Sequence, residues 1–452
     1  MGNMLTTTAR GEEMPTPPAR EQLALLRRLF RDPTPVLDEL AGNYGPVVGL
    51  GAGPLRIAIV GDPAAIGDMF ALPTDSFRWN HRFNVLGFVV GKGSMIVSDG
   101  EDHRRRRAAV QSGFSRRRVN RLVPMIVGCV DDAVDRAVEA AGAARPVDLY
   151  PVARRLTLDV VVRSLFGERM AGRVDEIGDL FERPQAYLES PAIRQLPHPF
   201  PFTARSKVRD DRRALDALID EEIAIRRRER AEDQDDLLAV LAADDSLSDA
   251  EVRDQVDTLI GAGYHSTTAS LSWMLWRAAL EEGVWSALRD EADPAFAADD
   301  WDHTLLTRLD LAGRVMRETL RLHPAGVVGL REAVQDVEIG GYRIPRGTMI
   351  LWSSHLSGRD PDAWPDPLRF DPGRFATAAA DRSLSSSGAW APFGGGARNC
   401  VGFAIAQTEL TLAISRIAQR IDVEPMREAV PQPVGMVVNR PEGGVPMTVA
   451  PR

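Results

Sequence analysis

Residues 393–402 read FGGGARNCVG and contain Cys400, one of two cysteines in a chain of 452 residues. Three glycines precede this thiol closely and an arginine stands two places before it. A lone cysteine ordinarily behaves as a small buried hydrophobe. Cys129, inside the apolar helical pattern PMIVGCVDDAVDRAV, takes that reading. Two such cysteines make no disulfide framework, and no CxxC pair marks a zinc site. Glu318 and Arg321 are a second candidate group. They stand at i and i+3 in GRVMRETLRLH, a helical pattern stopped by Pro324, so they share a face and can pair. Taken alone, such a pair is a solvated surface contact that stabilises little.

These residues must be held by larger elements. Ser248 to Glu251, SDAE, forms a capping box. It opens a long periodic helix, AEVRDQVDTLIGAGYHSTTASLSWMLWRAALEEG. Residues 45–63, GPVVGLGAGPLRIAIVGDP, read as two short strands around a glycine turn. They are not a dinucleotide fingerprint: the last Gly/Ala is missing, and a second strand-like run replaces the helix. After residue 64 helical patterns dominate, as in VDLYPVARRLTLDVVVRSLFG. Residues 183–202, RPQAYLESPAIRQLPHPFPF, break the pattern as a surface loop or lid would. VEIGGYRIPRGTMILW reads as a hairpin, and VGFAIAQTELTLAISRIAQRI as a helix directly after the cysteine loop. The fold class is mainly α with small β-sheets. Length alone suggests two or three domains. Yet no long linker or fixed-period repeat follows residue 20, so residues 21–452 read as a single domain behind a disordered lead, residues 1–20.

Hydrophobic residues make up 44% and charged residues 26%, as in ordinary globular proteins, and a net charge of -9 argues against nucleic acid as a partner. No apolar run reaches about 18 residues, so no membrane span is expected. The start carries no signal-peptide pattern, and a cytoplasmic protein is expected. MGNMLT formally fits the short N-myristoylation pattern.

The chain resembles the cytochrome P-450 family of haem-thiolate monooxygenases, in its soluble bacterial form. The family's F-x-x-G-x-R-x-C-x-G is matched at Phe393, Gly396, Arg398, Cys400 and Gly402. Its E-x-x-R is matched by Glu318 and Arg321, and RFDPGRF (369–375) matches the segment that supplies a second arginine, Arg374. HRRRR matches [W/H]-x-x-x-R through His103 and Arg107. The resemblance covers roughly residues 35 to 450, with four motifs in the right order. It implies the cytochrome P-450 fold and haem b, with the Cys400 thiolate bonded to iron, where it donates electron density and favours O–O cleavage. Backbone N–H groups of the glycine-rich loop would soften the thiolate's charge, and glycine adopts positive φ at little cost. Phe393 would shield the sulfur, and Gly402 would let the next helix approach the porphyrin. Arg398, His103, Arg107 and Arg331 would hold the propionates. Glu318, Arg321 and Arg374 would form a buried structural ion network.

In the long helix the family's pattern is [A/G]-G-x-[D/E]-[T/S]-[T/S], a groove for O2 followed by an acid and an alcohol. Here the stretch is Ala262-Gly263-Tyr264-His265-Ser266-Thr267-Thr268. Aligned without a gap, His265 replaces the acid and Ser266 is the alcohol. Sliding by one makes Thr267 the alcohol but sets Tyr264 on the groove glycine, where it would block oxygen. The first reading is preferred. No carboxylate remains in the relay, although histidine also shuttles protons near neutral pH. Ser266 with ordered water is expected to carry the proton.

Arg104 to Arg107 and Arg116 to Arg118 form a basic stretch in an acidic chain. It reads either as a solvated helix face or as the family's docking site for an electron donor. The expectation is a separate acidic ferredoxin or flavodoxin with its reductase, docking near Arg104, Arg105, Arg116 and Arg117. Electrons would come ultimately from NAD(P)H. The apolar residues Phe83, Leu86, Phe88, Leu259, Val327, Val328, Met436 and Val437 are candidate pocket walls, though each reads equally well as core. Together they suggest a lipophilic substrate: a terpenoid, steroid, fatty acid or polyketide. The leading reading is a monomeric enzyme of secondary metabolism that inserts one oxygen atom from O2 into a C–H or C=C bond. The alternatives are a peroxide-driven or rearranging haem-thiolate enzyme, and a non-catalytic haem sensor.

Overall fold

A computed structural model of the chain describes residues 11–80, 84–142, 146–198, 200–229, 236–298, 301–377, 387–435 and 437–452. The myristoylation pattern, Phe83 and Met436 lie outside the described residues. The chain forms two compact units: Met1–Arg82, Gly326–Arg369 and Thr377–Cys400 make the first, and Phe83–Ala325, Phe370–Ala376 and Val401–Arg452 the second.

The first unit is built on strands. The short strand β1 (Glu12–Glu13) is followed by helices α1 (Ala19–Arg31) and α2 (Pro33–Tyr44). Pro33 begins α2, where its missing N–H has no helical partner to lose. Then come β2 (Val47–Leu50), β3 (Ile57–Val60), helix α3 (Pro63–Ala71) and β4 (Phe77–Arg78). After the chain returns at Gly326 it forms β5 (Val328–Ala333), β6 (Val337–Ile339), β7 (Tyr342–Ile344) and β8 (Met349–Ser353). Five strands make one sheet in the order β2-β3-β8-β5-β4. The expected β2–β3 pair is antiparallel, with Val47 opposite Val60. Leu25 and Leu29 of α1 pack with Val36, Leu37 and Leu40 of α2 against Val48, Leu50 and Ile59 of the sheet. The expected hairpin is β6–β7, where Gly340 and Gly341 at φ 57° and 79° supply the positive angles of a tight two-residue turn. β1 adds to it, Glu12 opposite Tyr342, so residues 12 and 13 of the lead are paired strand.

The second unit is helical. Its principal helices are α4 (Gly100–Gly113), α5 (Arg116–Arg121), α6 (Val123–Ala141), α7 (Leu149–Phe166), α8 (Val174–Leu188), α9 (Ala204–Glu229), α10 (Asp249–Leu280), α11 (Val284–Ala295), α12 (Asp310–Leu322) and α13 (Phe403–Arg420). Three strands, Pro146–Asp148, Ile421–Pro425 and Pro446–Pro451, form a small antiparallel sheet, and Pro433–Val434 pairs with Arg440–Pro441. α10 opens on the expected capping box. The Ser248 hydroxyl accepts from the Glu251 N–H at 3.3 Å, and the Glu251 carboxylate accepts from the Ser248 N–H at 3.0 Å. Apolar residues surround α10 on most sides, so it is a buried central helix rather than an amphipathic surface one. At Gly263 it approaches α7 closely. A Cβ there would lie 3.0 Å from Val161 Cγ2.

One expectation changes here. The lid-like segment 183–202 is not all loop, because α8 runs through Pro184 to Leu188. Phe181, Pro184 and Tyr187 are buried, and their burial outweighs the hydrogen bond that proline removes.

Candidate functional site

In the first unit, the cysteine loop is a succession of tight turns. Gly394 and Gly396 adopt φ 68° and 65°, angles that a residue with a Cβ takes only under strain. A Cβ on Gly396 would also lie 2.8 Å from the Phe70 carbonyl. The turns are closed by hydrogen bonds from Gly394 N–H to Ala391 O, Asn399 N–H to Gly396 O, and Cys400 N–H to Phe393 O at 2.8 Å. Cys400 is exposed. Phe393 is half-buried, 5.9 Å from the Trp390 ring. Three residues beyond the thiol the chain enters α13, with Gly402 as the residue before its first turn.

Arg331 is the most unusual charge in this unit. It is 6% exposed, and its guanidinium makes no hydrogen bond or ion pair with any described residue. Rings surround it instead: its guanidinium carbon is 4.9 Å from the centre of Phe77 and 5.4 Å from those of Phe70 and Trp79. Burial first, and then the positive charge of Arg398, push its pKa down to about 10. The Arg398 guanidinium lies 3.8 Å over Trp79. A buried cation without a counterion, beside a second cation, is a cradle whose chemistry suits a carboxylate. The residues present therefore fit a haem propionate.

In the second unit, His103 and Arg107 stand one turn apart on α4, the histidine buried and the arginine half-buried. Arg105 and Arg106 on the same helix both bind Glu251, at 2.5 and 2.8 Å, so the capping carboxylate of α10 also ties α4 down. Hydrogen bonding from Arg105, before any other cause, holds the Glu251 pKa down at about 2. Arg104 pairs with Glu101 at 2.8 Å. Arg104 and Arg105, both expected to receive a donor, are thus compensated within the chain. Arg116 and Arg117 are exposed and have no acidic partner among the described residues. They line a cavity of about 640 Å³ with Arg121, Trp301, Asp302 and His303.

The mid-helix stretch of α10 divides between two faces. Ala262 is exposed and Ser266 partly so, and the Ser266 hydroxyl donates to the Ala262 carbonyl at 2.5 Å. Tyr264 points the other way. It is fully buried, its hydroxyl accepts from Arg154, and Arg154 continues to Glu182. Thr267 is buried, and Thr268 pairs with Thr157 at 2.6 Å. Ala262 and Ser266 thus share one open face of the helix. His265 is buried 4.1 Å from the Tyr264 ring, and its Nε2 has no hydrogen-bond partner among the described residues. Burial, reinforced by Arg154 and Arg440, lowers its pKa to about 3. The imidazolium that a relay near neutral pH would use is scarcely populated.

Glu318, Arg321 and Arg374 come together. Glu318 accepts from Arg321 in a fork at 2.7 and 2.8 Å, Arg374 Nε is 3.4 Å away, and the Asp371 N–H donates to Glu318 at 2.8 Å. The Glu318 and Arg321 side chains are both fully buried. The pair is not the solvated contact that spacing alone suggested.

The candidate pocket walls scatter. Val327 is 1% exposed and belongs to the core under α1 and α2, and Val328 packs beside it. Leu259 joins the core around α10. Leu86 and Phe88 are half-buried, and the Arg205 guanidinium lies 3.7 Å over the Phe88 ring. Val437 is exposed, and its N–H donates to Glu189. Cys129 is buried, and burial lifts its pKa to about 12, which suits the inert role expected of it. Sequence reasoning passed over Trp79 and Phe70. The one available signal was the alternation Phe77-x-Trp79 beside a turn, which reads as ordinary strand core.

A helix-rich fold with a cysteine in a glycine-built turn, a buried glutamate–arginine network and a central helix that carries Ala262-Gly263 at its middle defines the haem-thiolate class. Comparison with known proteins agrees. The family model described as Cytochrome P450 matches residues 17–445. Cyclooctatin synthase of Streptomyces melanosporofaciens is 32% identical over 75% of this chain and 74% of its own. Pentalenene oxygenase of Streptomyces avermitilis is 30% identical over 76% and 77%. The structure titled retinoic acid bound cyanobacterial CYP120A1 superposes with a TM-score of 0.85 at 25% identity, covering 98% of this chain and 100% of that one. The chain belongs to the cytochrome P450 family and is a monooxygenase of that family. No helix among the described residues is long and apolar enough to cross a membrane.

Proposed function

We propose that this monooxygenase oxidises a terpenoid, using haem held through Cys400 and electrons from a separate acidic carrier. The observation that carries the substrate class is the similarity to cyclooctatin synthase and pentalenene oxygenase, two terpenoid-oxidising relatives.

Cys400 would bond the iron, and Phe393 would limit water at the sulfur. Arg331 and Arg398, with His103 and Arg107, would hold the propionates. When bound, haem iron supplies the activation of O2. Ser266 orients a proton at its Oγ, because its bond to the Ala262 carbonyl fixes the hydroxyl. His265 stays neutral and leaves that task to Ser266 and water. Glu318, Arg321 and Arg374 hold the fold. Arg116 and Arg117, rather than Arg104 and Arg105, receive the donor, an acidic ferredoxin or flavodoxin charged ultimately by NAD(P)H. The protein is expected to work in the cytoplasm as a monomer.

The test is a titration of purified holoprotein that shows the 450 nm band with carbon monoxide. Cyclic terpene hydrocarbons should shift the Soret band to shorter wavelength at micromolar concentration. Steroids, fatty acids and polyketides should do so only far above it. A fatty acid that binds tightest, with no terpene response, overturns the substrate reading. Reversing Arg116 and Arg117 to glutamate should slow reduction by an acidic ferredoxin about tenfold at low salt and flatten its salt dependence. Unchanged rates in that variant would remove the docking assignment.

A further inference from the structure

The charge of Arg331 is kept in place by rings, and one of those rings serves two arginines. β4 ends at Arg78, and Trp79 follows it. Strand alternation sends Phe77 and Trp79 to one face and Arg78 to the other. The register pairs Phe77 with Ala333 and Arg78 with Glu332, so continuing it by one residue sets Trp79 across from Arg331. The same alternation on β5 turns Glu332, the nearest carboxylate in sequence, away from Arg331. Glu332 is taken up by Arg78 in a forked pair at 2.5 and 2.9 Å. Arg331 is left with Phe70, Phe77 and Trp79. The Trp79 ring also carries Arg398 on its face at 3.8 Å. Two guanidiniums therefore share one indole, the strongest of the aromatic partners for a cation. Like charges held this close repel until an anion joins them.

We propose that Trp79 is the positioning residue of the propionate site. Its ring orients Arg398 and Arg331 together, so that a carboxylate of the haem meets two cations already in place. A ring attracts a cation without adding a negative charge, so the Arg331 guanidinium keeps its full charge for the ligand. A carboxylate in the place of Trp79 would neutralise it. The inference rests on the haem reading above.

The experiment measures haem transfer from the holoprotein to excess apomyoglobin, followed in the Soret region. Trp79→Leu, and Trp79→Met as a second replacement that fills the volume without a ring, should each release haem about tenfold faster than the parent. Trp79→Phe should stay within about twofold. In an Arg331→Leu/Arg398→Leu background, Trp79→Leu should add little, because the ring acts through the two arginines. A purely structural tryptophan gives a different pattern: the same fold-change in both backgrounds, or a Phe variant as leaky as Leu. Either result overturns the proposal, as does an unchanged rate in both ring-less variants. If the parent protein never takes up haem with a 450 nm carbon monoxide band, the haem reading fails, and the proposal goes with it.

Discussion

Arg321 and Arg331 are both buried cations, ten residues apart in sequence, and the protein treats them in opposite ways. Arg321 is 1% exposed and forks onto Glu318, whose remaining capacity is taken by Arg374 and the Asp371 N–H. Arg331 is 6% exposed, touches rings, and has no acidic partner among the described residues. A closed ion network is complete as it stands, and so it serves the fold. A cation with no acidic partner among the described residues is left open to an added anion. Burial of charge alone does not tell the two apart; what each charge faces does.

Substitution should separate them most sharply at Glu318. Glu318→Gln leaves Arg321 buried beside a neutral amide, and the loss should be about 3–5 kcal/mol, read as a collapse of the urea midpoint or of folded yield. A stable Gln variant would mean that the network is not structural. Arg331→Leu should behave in the reverse sense. The thermal midpoint of the haem-free protein should hold or rise, since a desolvated charge is gone. Haem should dissociate about ten- to a hundredfold faster, as loss of a charged hydrogen bond worth ~1.5–3 kcal/mol implies. Equal damage to folding from both substitutions would erase the contrast. The smallest effect belongs to Glu251, a carboxylate shared by Arg105 and Arg106 near the surface. Its pKa falls from the ordinary 4.5 to about 2 in the folded state. The stabilisation it gives is therefore complete above pH 4.5 and lost as pH falls from there through 2. Urea midpoints measured across that window should fall in the parent and fall less steeply in Glu251→Gln.

The motif residues were legible because their spacing is local or their pattern is shared by a family. Glu318 and Arg321 lie one helical turn apart, and the cysteine loop announces its glycines. The burial that turns Glu318–Arg321 from a weak surface pair into a network was not legible, since it depends on the distant segment 369–375. Trp79 stayed hidden for the same reason. Its partners stand at 331 and 398, and an aromatic at the end of a strand looks like any core residue. The basic stretch was legible as charge, but not in how it is spent: Glu101 and Glu251 neutralise Arg104 and Arg105, while Arg116 and Arg117 remain available. Pro184 misled, because a proline inside a helix is tolerated where the flanking apolar residues have a core to fill.

The contrast between the two cysteines has a practical side. At a pKa of about 12, Cys129 holds almost no thiolate near neutrality, and it is packed away from solvent. Of the two cysteines, an alkylating reagent in the medium therefore meets the exposed Cys400 and not Cys129. Under the proposed haem reading, alkylation of Cys400 in the haem-free protein takes the iron ligand away, and the labelled fraction counts the molecules that can no longer bind haem.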